Sequence, residues 1–122
     1  MAHLRKIRLE LARERGHPTG DSRTGYIIVA PLDAHDRIDA EAWKYSRESC
    51  RVTRFRADED DSHGHLIRRP GGSWALRYDI DGDQDDEAGY HFGDEQFMLG
   101  EYISIREDDA THTYRVVSVE PL

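Results

Sequence analysis

The sequence predicts a mainly β domain: a small antiparallel β-barrel (or sandwich) of about seven or eight strands with one short helix. Three observations carry that expectation. Apolar residues recur at spacing two in short runs, the period of a strand with one buried face. Gly, Pro and Asp clusters separate these runs at hairpin or modest loop lengths. Only residues 39–45 combine a helix cap with helix-forming residues. Closing such a sheet removes its exposed edges, and mostly sequential strands favour a meander barrel.

The first strand is expected in residues 5–14, where Ile7, Leu9 and Leu11 alternate with Arg8 and Glu10. Gly16, Pro18 and Gly20 break the chain, and Tyr26–Ala30 forms an apolar run that Pro31 should halt. Asp39 can cap Ala40-Glu41-Ala42-Trp43-Lys44-Tyr45, a helix so short that it needs Trp43 as a tertiary anchor. Strand chemistry resumes at Cys50–Ala57. Val52 and Phe55 fall on opposite faces there, so either both faces are covered or a bulge intervenes.

Residues 58–62 read as an acidic loop, followed by the hairpin at the centre of the core, Gly64 to Tyr78. Its turn is Arg69-Pro70-Gly71-Gly72: Pro70 presets φ at the second position and Gly71 supplies the positive φ of a type II turn. Trp74, Leu76 and Tyr78 alternate with Ser73, Ala75 and Arg77, bringing two large rings to one face. A second acidic loop leads to a short strand at 88–92. A closing hairpin pairs 101–106 with 111–119.

At 122 residues the chain has room for one domain, 1–122. Its polarity is concentrated: residues 58–61 and 79–95 hold twelve of the 25 acids. A net charge of -8 argues against indiscriminate binding to nucleic acid or anionic membrane, without excluding a local basic face. One cysteine, no apolar signal core and no run of membrane-spanning length fit a cytoplasmic protein, expected as a monomer.

The segments Gly64-His65-Leu66-Ile67-Arg68-Arg69-Pro70-Gly71-Gly72-Ser73-Trp74 and Gly100-Glu101-Tyr102-Ile103-Ser104-Ile105 resemble a family of small, single-domain bacterial proteins, proteobacterial in character. The resemblance implies a bacterial origin and one-domain architecture. It brings no activity, ligand or catalytic residue.

Motifs for chemistry are weak. Counting Asp79 as position one puts Asp81 and Asp83 at EF-hand positions three and five, but Gln84 at six and Tyr90 at twelve break the match. His63 and His65 could present two imidazoles on one side of a strand. A zinc site would then draw on His91, His112 or a carboxylate. Cys50 lies between Arg47 and Arg51, with no base or oxyanion site legible nearby. No catalytic residue, metal site or cofactor is therefore assigned.

Charge segregation says more. Residues 51–57 and 66–78 carry Arg51, Arg54, Arg56, Arg68, Arg69 and Arg77 and no acid. Arginine suits bidentate recognition of carboxylates and phosphates. The expected site is a basic sheet face built from Arg54, Arg56, Arg68, Arg69 and Arg77 with Trp74. The leading function is a non-enzymatic interaction module receiving an acidic protein segment or other anion there. The alternative is a small barrel binding single-stranded nucleic acid, with Phe55 and Trp74 as stacking rings. A metal-dependent enzyme comes third. The bland reading is of solvated arginines balanced by acidic loops.

Overall fold

Eight antiparallel strands close into a barrel in sequential order, each hydrogen-bonded to the next and the last to the first. The structure, a computed structural model, describes residues 3–79, 87–90, 92–107 and 110–122, with the Tyr90 side chain outside that set. The strands are β1 (His3–Leu11), β2 (Asp21–Leu32), β3 (Arg51–Arg56), β4 (Glu59–Arg68), β5 (Trp74–Tyr78), β6 (Glu87–Tyr90), β7 (Tyr102–Arg106) and β8 (Thr111–Pro121). A five-residue helix, α1 (Ala40–Lys44), and a 3-10 turn (Arg47–Ser49) connect β2 to β3.

Alternation fills the interior. Ile7, Leu9, Ile28, Val52, Leu66, Leu76, Ile105 and Val116 are all essentially inaccessible and form one cluster. The β4–β5 pairing sets Leu66 opposite Leu76. Its turn closes with a Gly72 N–H donated to the Arg69 carbonyl at 2.9 Å, and Gly71 sits at φ 94°. Gly72 also has positive φ, at 92°.

Two expectations change, and one open alternative is resolved. Pro31 does not halt its strand, because β2 pairs with β3 only over Gly25–Ile28; beyond that it has β1 on one side and, on the other, no strand but the Leu32–Ile38 bridge and the Asp39 N–H donated to the Pro31 carbonyl at 2.9 Å. A missing N–H on the unpaired side costs no ladder bond. Residues 59–61 are not loop but the start of β4, across from Arg56 through a tight turn at Ala57 and Asp58. At a hairpin tip their carboxylates stay in water, so strand geometry costs them no solvation. The untidy phase of β3 has both proposed causes. A bulge lies between Arg54 and Arg56, and outward-facing Phe55 is covered by the Arg8 guanidinium 4.4 Å from its ring. Gly25 stands opposite Phe55, where a Cβ would meet the ring at 2.9 Å.

The two mouths of the barrel are closed differently. At the mouth where β2 and β4 end, Trp43 drops from α1 onto the core. Its indole N–H donates to the Leu66 carbonyl at 3.0 Å, and its ring meets Trp74 edge-on at 5.3 Å. Phe92 and Phe97 pack edge-on at 5.4 Å, and Cys50 and Ile38 join the same cluster. Asp39 caps the helix by accepting the Ala42 N–H at 3.1 Å. At the opposite mouth the closure is polar.

Candidate anion-binding groove

The six arginines divide into two populations. Arg54 and Arg56 share the inward parity of Val52, so they do not belong to a solvent-facing stripe. Arg54 bridges to Glu87 at 2.8 Å, and Tyr26 and Tyr78 donate their hydroxyls to the same carboxylate at 2.9 and 2.5 Å. Arg56 reaches Glu107 at 2.5 Å, and Tyr114 donates to that carboxylate's second oxygen. The Tyr26 and Tyr114 rings pack edge-on at 5.1 Å between the two pairs.

This mouth is electrostatically closed. Burial, with the neighbouring carboxylates, holds the Tyr26, Tyr78 and Tyr114 hydroxyls protonated well above the ordinary phenol range. Burial opposes the charge on Arg54, but the Glu87 carboxylate together with the Tyr26 and Tyr78 hydroxyls more than offsets it. Every donor that these carboxylates need is built in. Arg54 and Arg56 therefore serve an internal network, and a ligand would have to displace a carboxylate to reach them. The sequence-based face is corrected on this point.

The second population lies outside and at the rim. The ladder aligns Arg51, His65 and Arg77 across β3, β4 and β5, all on the outer face. Asp79 sits between them, 3.6 Å from Arg51 and 3.3 Å from the His65 imidazole. Towards the Trp43 end this face deepens into a groove of about 520 Å³, into which Arg47, Arg68, Arg69 and Arg77 all contribute. Leu66, Ile67, Trp43 and Pro70 supply apolar lining, and the acids are Glu48 and Asp79.

The groove comes from three local devices. The 3-10 turn after α1 swings Arg47 over the Trp43 ring, its guanidinium carbon 4.8 Å from the centroid. The tight turn at 69–72 sets Arg69 and Pro70 at its edge, where a second shallow depression adjoins the first. Arg68 has inward parity but lies at the strand end, so its exposed guanidinium bends over Trp74 at 5.6 Å. Among the described residues, neither Arg47 nor Arg68 has a carboxylate partner. Stacking on indoles holds each guanidinium plane in place while its N–H edge can still bind an anion.

Trp74 is therefore a floor beneath Arg68, with 4% of its surface exposed, and no platform for a ligand. Arg69, in the turn after β4, and Arg77, on β5, both line the groove, and Arg47 and His65 are groove residues that charge counting alone did not assign to the face. Cys50 is fully buried, and burial pushes its thiol up to about 11, so its arginine neighbours do not activate it. Among the described residues no three His, Cys, Asp or Glu side chains are grouped to hold a metal ion. His63 and His112 instead lie within hydrogen-bonding distance of Thr53 and Glu14. His91 and most of the acidic loop, residues 80–86, lie outside the described residues.

Comparison with known proteins returns no relative: no family model matches, and no curated protein or solved structure is significantly similar. No described helix is long and apolar enough to cross a membrane.

Proposed function

We propose that the protein is a non-enzymatic interaction module that takes an acidic protein segment in the groove between the β4–β5 hairpin and the α1 turn. One observation carries the reading. Four arginines from the 3-10 turn, β4, the following turn and β5 converge on one apolar-lined groove, in a chain of net charge -8. A local excess of arginine focuses positive potential where the molecular total is negative, and this steers an anionic partner to that face.

The mixed lining favours a peptide over a small inorganic anion. Ile67 and Pro70 give an apolar side chain somewhere to rest while flanking carboxylates meet guanidinium forks. Single-stranded nucleic acid is the weaker alternative, because base stacking needs exposed rings. Trp43 and Trp74 are only 7% and 4% exposed and already pack on one another.

The test uses fluorescence anisotropy of a labelled peptide of eight glutamates with one central leucine. At about 50 mM salt the wild-type protein should bind it, and binding should fade by about 500 mM as exposed charges are screened. Arg47→Gln with Arg68→Gln should weaken binding at least tenfold. Equal binding by that variant, or none by the wild type, removes the proposal.

A further inference from the structure

Strand β4 carries opposite charge at its two ends. It begins with Glu59, Asp60 and Asp61, preceded in the turn by Asp58, and it ends at Arg68 followed by Arg69. All four acids are exposed, and none forms an ion pair among the described residues. The groove occupies the other end of the same hairpin system. Ten residues of strand at ~3.3 Å per residue separate Glu59 from Arg68 by roughly 30 Å. The tip is also fixed in the barrel ladder through the pairing of Arg56 with Glu59. An acidic tip therefore cannot fold back into the groove of its own chain.

We infer that the groove's occupant includes a second copy of this chain: the acidic β3–β4 tip of one molecule docks into the arginine groove of the next. The inference rests on the groove reading proposed above. The tip has the chemistry the groove selects. Its two-residue turn makes it narrow, and among the described residues no cation pairs with its carboxylates. Arg47 and Arg68, held by their indoles without a carboxylate, are the cations it would meet first.

Such a contact is heterologous: it uses two different surfaces, so each bound copy leaves one tip and one groove open, and association runs head to tail. The net charge of -8 opposes it at long range. That repulsion is spread over the whole molecule, whereas the tip and groove charges meet well inside a Debye length of ~8–10 Å. The expected result is weak, reversible association in place of the monomer that composition suggests.

Two variants test this by complementation. The tip variant carries Asp58→Asn, Glu59→Gln, Asp60→Asn and Asp61→Asn; the groove variant carries Arg47→Gln and Arg68→Gln. All six side chains lie at the surface or rim, and circular dichroism verifies that both variants fold. Sedimentation velocity at about 50 mM salt should show wild-type mass rising with concentration and returning to monomer at about 500 mM. Each variant alone should remain monomeric. Their mixture should form a capped one-to-one pair, because only one intact tip and one intact groove remain.

Association of either variant alone, or failure of the mixture to pair, overturns the inference. The glutamate-leucine peptide separates this failure from that of the groove. If the tip variant binds the peptide but the wild type does not self-associate, the second copy is the wrong occupant and the groove reading stands. If the tip variant does not bind the peptide, both fall.

Discussion

Arg54 and Arg68 sit on neighbouring strands of one barrel, yet their environments make them opposites. Arg54 enters the polar mouth and meets a carboxylate that two tyrosine hydroxyls also hold. Arg68 leaves the far mouth and lies on an indole, with no carboxylate partner among the described residues. A buried ion pair satisfied on all sides fixes geometry and offers little to a ligand. A guanidinium held by stacking is ordered in advance and still lacks the carboxylate it binds best. The protein thus uses one pair of arginines to close its barrel and leaves another stacked and exposed at the rim of the groove.

That contrast can be broken first at the polar mouth. Glu87→Ala leaves Arg54 and two tyrosine hydroxyls without their acceptor, and breaking such a buried pair should cost about 3–5 kcal/mol. Glu87→Gln keeps an acceptor oxygen and should cost less. Urea denaturation measures both, and peptide affinity of the folded fraction should not change. An unaltered midpoint for the alanine variant would show that this network does not hold the mouth together.

The next effect is on the turn that frames the groove. A Cβ at Gly71 would meet nothing within 4 Å, so the cost of Gly71→Val is purely that of holding a branched residue at φ 94°, about 1–3 kcal/mol. A denaturation midpoint equal to wild type would remove the turn assignment. Smaller again is the stability cost of Arg47→Gln with Arg68→Gln, about 0.5–1 kcal/mol for each exposed cation–π pairing that the substitutions abolish. Thermal melts should lower this variant's midpoint by only several degrees, although its peptide binding is expected to fail. A large drop in melting temperature would move these arginines into the structural class with Arg54.

A further effect is on pH dependence. Burial, with the Glu101 carboxylate adding to it, raises the Glu95 carboxyl from its ordinary 4.5 to about 7. Between those two values the folded state holds a proton that the unfolded state has released, so stability falls as pH rises. Below about 4.5 both states are protonated and this group contributes no slope; above about 7 its cost is complete. Glu95→Gln should therefore flatten the denaturation midpoint between pH 5 and pH 7. A midpoint that falls through that interval as steeply in Glu95→Gln as in the wild type contradicts the assignment.

Local chemistry was legible, and long-range partnering was not. The Asp39 cap, the Pro70-Gly71 turn and the inward facing of Trp74, Leu76 and Tyr78 depend on near neighbours, and each appears as expected, although Ala75 on the other face is buried as well. The inward parity of Arg54 and Arg56 could have been counted from Val52. What made that parity tolerable was hidden: their partners lie 33 and 51 residues away, on β6 and beyond the end of β7. Arg47 was invisible for a related reason. Its place in the groove depends on how a 3-10 turn packs against a strand that follows it in sequence, and no periodicity encodes that.

The most direct test of the division between closed and open arginines reads their side chains individually. Arginine Nε–Hε cross-peaks, assigned by single Arg→Lys variants, are followed while the glutamate-leucine peptide is added at about 50 mM salt. Arg47 and Arg68 should shift progressively and saturate together, and Arg54 and Arg56 should stay where they are. Shifts at Arg54 and Arg56 that match or precede those at Arg47 and Arg68, or no shift at any of the four, would contradict the account.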